Sequence, residues 1–472
     1  MRYTWSSVIV AATLAVSAVG CSGGGSSKTT TQSGPAATVT VALDGLMTQN
    51  SALVLPTYVS HLYGAAPGQD VATITIQNTG SGSTTYVATI DLPSYASAPG
   101  TKTITLAAGA SKTFTLSPAL NLSALFARTT NVPGALDVTV TAGTTTVYQN
   151  TTNIQISGRD TVFWSENGVD IAPFVVTMVT PNDFGLEVSS LAHDAGLLFP
   201  GGALLGYQAG AAWPSATIAN AIAPGTYTEE AFQILAGDRI SVAIDAVTNG
   251  IGGSDVATVA IMDDANFTTW IGGGSAAACV VDLAAAAGSV ETCASPAAGM
   301  WHIVYLNPNS NLTSRTITRH RPMGRWETTY EQSRAIFMAL RNRGMIYANL
   351  PGSGFFSASQ NVMYPQESLL VNNANCIEGS LVFDSVWERM GMEPILLVDS
   401  AHGHAFTAVR CWTGSSCVIP VETTMVGSTA TFDSAYATAS ATWNAWGSSG
   451  DNSATLLDVA AERAAGITPA PM

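Results

Sequence analysis

What most constrains this chain is the alternation of polarity in its first third. From about Ala37 to Ser157, short runs rich in Val, Thr and Ile alternate apolar with polar residues and are broken by Gly, Ser, Asn and Pro. A period of two puts every second side chain on the same face of a strand, so each run has one face to bury and needs a second sheet to bury it against. The runs Val71 to Gln77, Tyr86 to Leu92, Lys102 to Leu106, Lys112 to Leu116 and Leu136 to Ala142 are the clearest. Their spacing predicts an antiparallel β-sandwich over 37–157.

That first sandwich reads as Ig-like, and Ile74 to Gly80 resembles the strand and turn of many bacterial adhesion-type repeats. A second strand-rich block spans 209–322, with Ile240 to Ile244, Val256 to Met262 and Met300 to Leu306 as expected core strands. It is similar to the jelly-roll modules appended to secreted peptidases. Between the two, 158–208 does not read as sandwich. Helical spacing follows Pro181 at Val188, Leu191, Ala195 and Leu198, and this stretch is expected to pack with the C-terminal domain as its N-terminal part, the second sandwich being inserted between them. Asp263, Asp264 and Asp282 lack the spacing of a calcium loop and read as solvated loop acids; no metal site and no cofactor is expected.

A chain of 472 residues with 47% hydrophobic and only 10% charged residues has material for several buried cores. Its formal charge of −15 argues against nucleic acid as a partner, because phosphate recognition needs clustered Lys and Arg. At the N-terminus, Arg2 precedes an apolar run from Val8 to Val19 that is short for a membrane span and has the layout of a secretory signal. The run ends in Ala18-Val19-Gly20-Cys21, which resembles the lipobox of bacterial lipoproteins, with Ala18 where Leu is usual. The resemblance implies lipidation at Cys21, a signal over 1–21, and attachment to the cell envelope, in the periplasm or at the outer membrane or cell surface. Residues 22–36, rich in Gly, Ser and Thr, read as a flexible tether.

The cysteines sharpen the reading. Of six, Cys279 with Cys293 and Cys411 with Cys417 form close pairs flanking turn-like stretches, and an exported chain oxidises what it can pair. With Cys21 set aside for lipid, Cys376 is left as a lone thiol. It sits in Asn375-Cys376-Ile377-Glu378-Gly379-Ser380-Leu381-Val382-Phe383, where Asn375 can cap a helix and Cys376 falls in its first turn. Ile377, Leu381, Val382, Val386 and Met390 form an apolar stripe, and Gly391 ends the helix. Unpaired N–H groups and the positive end of the helix dipole favour a reactive sulfur there. Upstream, a helix over Glu331 to Arg343 and a strand over Met345 to Ala348 are predicted. Downstream come a buried strand, Glu393 to Val398, a strand opened by His404, and a strand from Val418 to Thr424 carrying Glu422. A thiol at a helix start, followed by an imidazole and a carboxylate on successive strands, is the order of a Cys-His-acid triad. His402, in the turn, is the rival base. Because no HExxH or similar cluster accompanies the two histidines, a metal hydrolase is disfavoured.

Asn375-Cys376, Gly403-His404-Ala405 and Pro420-Val421-Glu422-Thr423 resemble the three signature segments of the bacterial transglutaminase-like superfamily, over roughly Trp326 to Val426. Gln360 to Leu370, with Pro365 and Glu367, resembles the lead-in to the nucleophile helix. Glu422 stands where many members have Asp, and Glu378 where Asp is common. The resemblance implies an α+β transglutaminase-like domain over 323–447, followed by a tail over 448–472, with Cys376 as nucleophile, His404 as base and Glu422 as orienting acid. The oxyanion donors expected are the Cys376 N–H with Gln360 or Gln366, while Glu367 and Glu378 are expected to be structural. The Cys411–Cys417 pair would hold the His and Glu strands in register. The function expected is acyl transfer in the envelope, most simply hydrolysis of a protein, peptide or cell-wall amide. Protein cross-linking and a non-catalytic binding scaffold are the alternatives.

Overall fold

The computed structural model describes residues 29–33, 36–66, 69–166, 169–182, 186–200, 202–207, 216–217, 221–249, 255–294, 296–308, 313–348, 359–399, 403–449 and 454–471. The signal with Cys21 and the rival base His402 lie outside them. The chain is multidomain and rich in β-sheet, and it divides into two compact units. The first comprises residues up to Thr177 with Ala358–Asn361 and Glu462–Pro471; the second holds Met178–Ser357 and Val362–Ala461.

In the first unit, one sheet contains Thr29–Ser33, Ala37–Ala42, Ala72–Asn78 and Ser111–Leu116 in that order. A six-stranded sheet contains Met47–Gln49, Ala52–Leu55, Thr145–Ile156, Val132–Ala142, Thr84–Asp91 and Gly100–Leu106. Alternation decides the buried face: Val39, Val41, Ile74, Ile76, Tyr86, Ala88, Ile90, Leu136, Val138 and Val140 are all buried while their neighbours in sequence are less so. Part of the expected tether is strand, since Thr29–Ser33 pairs antiparallel with Ala37–Ala42. Its Thr and Gln residues can join a ladder at little cost, which a composition-based reading of flexibility overlooks. The stretch up to Thr177 also belongs to this unit, with Thr161–Phe163 paired to Ser359–Asn361.

In the second unit, two four-stranded sheets face each other. One orders Ala216–Thr217, Arg315–His320, Ile240–Asn249 and Val290–Cys293; the other Tyr227–Ile234, Gly299–Leu306, Ala257–Asp263 and Val280–Ala285. Ile240, Val242, Ile244 and Ile317 from the first pack with Phe232, Ile234, Val259, Ile261, Ile303 and Tyr305 from the second in one core. Cys279 and Cys293 are disulfide-bonded. The bond was expected to staple a loop, but Cys279 leads into a strand of one sheet and Cys293 ends a strand of the other, so it fastens the two layers. The three acids considered for calcium have local partners: Asp263 Oδ1 accepts from Asn266 N at 2.8 Å, Asp264 Oδ1 lies 3.2 Å from His302 Nε2, and Asp282 Oδ1 accepts from Ala284 N at 2.8 Å.

The C-terminal part is α+β. An antiparallel sheet orders Val418–Val421, His404–Arg410, Pro394–Asp399 and Ala454–Asp458, the last supplied by what reads in sequence as a tail. Against it packs the helix Cys376–Arg389, with Glu187–Leu198, Arg325–Asn342 and Pro365–Val371 around the same core. In Glu187–Leu198 the expected Val188, Leu191 and Ala195 are buried, but Leu198, in the last turn, is 45% exposed. No helix among the described residues is long and apolar enough to cross a membrane.

Cys279 and Cys293 close a loop with a separation of 14 residues. Replacing both by Ala is expected to lower unfolding free energy by about 3 kcal/mol, the loop-closure entropy returned to the unfolded chain. Urea titration of the non-reduced protein checks this, and an unchanged midpoint would contradict it.

Candidate active site

The helix that carries Cys376 begins where the sequence predicts, and for a definable reason. Asn375 has an extended backbone, its Oδ1 accepts from Glu378 N at 3.0 Å, and Glu378 Oε2 accepts in return from Asn375 N at 2.8 Å. Two amides that the helix cannot satisfy internally are thus paired, a capping box in which the Asn cap is worth about 1 kcal/mol. Glu378 Oε1 accepts from Met363 N at 2.9 Å, so this carboxyl ties the helix start to the preceding segment. Burial raises Glu378 above its ordinary value despite these bonds. The helix stops at Gly391, whose φ of 73° an L side chain would resist.

Burial of the helix is more complete than a single stripe. Ile377, Leu381, Val382 and Val386 are buried as expected while Met390 is only partly so, and Ser380, Asp384 and Ser385 are buried as well. Each of these three polar residues has a partner: Ser380 Oγ donates to Cys376 O at 2.8 Å, Thr407 Oγ1 donates to Asp384 Oδ1, and Ser385 Oγ accepts from Thr180 N at 2.9 Å. Full burial pushes the Asp384 carboxyl well above the usual range.

Cys376 is the first residue of this helix, is 6% exposed, and is the free thiol among the described cysteines. His404 opens its strand opposite Asp399 and is 30% exposed at its side chain. Its Nε2 lies 2.9 Å from Glu422 Oε2, which leaves Nδ1 as the nitrogen available to the nearby Cys376 sulfur. The neighbouring Cys376 sulfur, then the bond to Glu422, raises the imidazole from its ordinary value to about 10 against the opposing effect of burial. The structure therefore brings Cys376, His404 and Glu422 together.

Glu422 does not lie within the strand as expected. The strand ends at Val421, and Glu422 caps the short 3-10 turn Thr423–Met425. Its Oε1 accepts from Thr424 Oγ1 at 2.6 Å and from Thr424 N at 3.2 Å, which turns the other oxygen toward His404. Burial would raise this carboxyl, but the bonds from His404 and Thr424 outweigh it and hold it below its ordinary value. Thr423 Oγ1 reaches the carbonyl of Cys376 at 3.2 Å. Gly379 eases the approach, because a Cβ there would stand 3.2 Å from both Cβ and Oγ1 of Thr423 and would push that residue back by a few tenths of an ångström.

The remaining expected residues fall as follows. Cys411 and Cys417 are bonded and close the hairpin between the His and Glu segments, with Cys411 N donating to Cys417 O at 3.0 Å. Gln366 is buried in the helix Pro365–Val371 and its Oε1 has no partner. Gln360 belongs to the first unit, where its Oε1 accepts from Trp164 Nε1 at 3.2 Å. Glu367 Oε2 accepts from Tyr364 N at 3.0 Å, a structural bond. Tyr347 is a residue that sequence reasoning missed. It stands in the short strand Ile346–Tyr347, paired in parallel with Asn373–Ala374, and lines a crevice with Ala374, Gly379 and Thr423. Burial, then the charges of Cys376 and Glu422, raise its phenol. Only the long-range pairing reveals it.

No family model and no curated protein matches this chain. Solved structures with detectable likeness include the secreted serine protease VesC from Vibrio cholerae, at 10% identity and a TM-score of 0.14, covering 52% of this chain and 45% of that one. Another is the exo-chitosanase CsxA of Amycolatopsis orientalis, at 16% identity and a TM-score of 0.14, covering 53% and 25%. The chain thus spans less than half the length of each, and likeness at this level carries no argument about fold or function.

The raised imidazole sets a pH dependence. In the unfolded chain His404 releases its proton near 6.5; in the fold it keeps it to about 10. Its stabilising contribution is therefore fully present below about 6.5 and is lost as pH rises through about 10. Denaturant unfolding across that window should show wild type losing more stability than His404→Gln. Equal losses would contradict the arrangement.

Proposed function

We propose that this chain is a cysteine acyl-transfer enzyme of the cell envelope, with a transglutaminase-like catalytic domain that hydrolyses a peptide or amide bond. The observation that carries the reading is the position of His404, bonded to Glu422 through Nε2 and close enough to the Cys376 sulfur for each to act on the other. A thiol, a base and an acid that orients the base are the parts nucleophilic acyl transfer requires. The two disulfides are compatible with an exported protein; the lipid anchor at Cys21 rests on the lipobox resemblance.

In this reading the Cys376 thiolate adds to the carbonyl carbon, and the carbonyl π pair moves to oxygen. When the carbonyl re-forms, the C–N bond breaks and the amine leaves with the proton held by the His404 imidazolium. A thioester remains on Cys376. Water, deprotonated by the now neutral His404, then attacks the thioester; the C–S bond breaks, the acid leaves, and the Cys376 thiolate and His404 imidazolium are restored. Glu422 keeps Nε2–H bonded throughout, so the ring presents Nδ1 to the sulfur at each step. An amine in place of water would give cross-linking by the same path.

Incubation with p-nitrophenyl acetate followed by peptide mass mapping tests this. An acetyl group is expected on Cys376, absent in Cys376→Ala, and its formation should slow by about 10²- to 10⁴-fold in His404→Ala. Discharge to water in the presence of a primary amine supports hydrolysis, whereas preferential discharge to the amine supports cross-linking. If wild-type Cys376 takes up no acyl group, the non-catalytic binding role replaces the enzymatic one.

A further inference from the structure

An acyl-transfer site must also stabilise the oxygen that becomes negative when the thiolate adds. The Cys376 backbone N–H, first in its helix, has no intrahelical partner and is one natural donor. The second is expected to be a preorganised N–H beside it.

Asn375 carries such a group. It is 2% exposed, and its Nδ2 is a buried donor with no hydrogen-bond partner. Buried donors are nearly always paired, so an orphan next to a nucleophile calls for a cause. Capping does not supply one, because capping uses only the oxygen: Oδ1 accepts from Glu378 N at 3.0 Å, which fixes which end of the amide is which. Ser, Thr or Asp would cap as well and would leave no amide N–H₂ unpaired. Since Oδ1 and Nδ2 share one carbon and Oδ1 is held over the first turn, Nδ2 is held at the same helix mouth as the Cys376 amide. On Gln366, the other candidate in this unit, the buried atom without a partner is Oε1, an acceptor, so no donor held in reserve is seen there as it is on Asn375.

We propose that Asn375 Nδ2 is the second oxyanion donor, acting with the Cys376 backbone N–H; this rests on the acyl-transfer reading of the same site. As the C–S bond forms, the carbonyl π pair moves to oxygen and that oxygen accepts both N–H bonds. They weaken when the carbonyl re-forms and the leaving group departs. In the resting protein Nδ2 has no partner, so its bond is realised chiefly in the transition state, where it accelerates the reaction.

The test compares two reactions of the full-length protein at Cys376. Alkylation by iodoacetamide proceeds by displacement at a saturated carbon and forms no oxyanion. Acylation by p-nitrophenyl acetate forms one. Asn375→Ser keeps a capping oxygen without the amide, and Asn375→Asp keeps the shape and the acceptor; circular dichroism identifies the variant that retains the fold. The expected result is alkylation within about threefold of wild type with acylation slower by about 10²- to 10³-fold. Equal loss of both reactions, or loss of neither, would overturn the assignment and leave Asn375 as a cap alone. A wild type that alkylates but never acylates would overturn the acyl-transfer reading itself, and this assignment with it.

Discussion

The C-terminal part of this protein is organised around one helix that is buried on nearly every side although several of its residues are polar. Burying Glu378, Ser380, Asp384 and Ser385 without partners would cost about 1–3 kcal/mol for each unpaired group. Glu378 and Ser380 bond locally, to Asn375 N and Cys376 O, while Met363 N, Thr407 Oγ1 and Thr180 N reach Glu378, Asp384 and Ser385 from other segments; Asp384 Oδ2 alone is left without a partner among these atoms. Arg389, at the last turn, donates to Pro181 O at 2.8 Å. The helix is therefore fastened by directional contacts at its start, middle and end, and Cys376 at its first position inherits that fixity. The proposed acyl transfer would need placement of this kind, with rotamers and backbone set by neighbours rather than by the reacting groups themselves.

The same economy governs the partners of the thiol. Glu422 lies just beyond a strand, where one carboxyl oxygen is used to cap a turn and the other is free for His404. Thr423, the next residue, reaches back to the carbonyl of Cys376, so the segment bearing Glu422 is tied directly to the residue that carries the thiol. Gly379 removes the side chain that would hold the two apart, and the Cys411–Cys417 bond closes the hairpin joining the His and Glu segments. Proximity of these groups then feeds into electrostatics: His404 is held in its charged form by the sulfur and the carboxylate together, and Glu422 is held ionised by His404 and Thr424.

Much of this was legible in the order of residues. Alternation marked the strands around Ile74, Ile90, Val138, Val259 and Ile303, because burial of one face leaves a period of two. Asn375 and Gly391 mark the ends of the helix that carries Cys376, because capping and left-handed termination depend on individual side chains. Pair spacing marked both disulfides. Other features depend on contacts distant in sequence and left no local trace. The Thr29–Ser33 strand hides in a composition typical of linkers, and the strand Ala454–Asp458 lies where a tail was expected. Burial of Asp384 requires Thr407, more than a full element away. Glu422 was assigned to a strand because Thr423 and Thr424 favour one, whereas its own side chain ends the strand by capping the turn.

The central claim is that His404 is held between Cys376 and Glu422, and NMR titration of its ring tests it most directly. With the resonance assigned through a His404 variant, the account predicts that the imidazole stays protonated far above 6.5, with a midpoint near about 10, and that this midpoint falls in Cys376→Ala and in Glu422→Gln. A ring that titrates near its ordinary value of 6.5 in the wild type, unmoved by either substitution, would contradict the account.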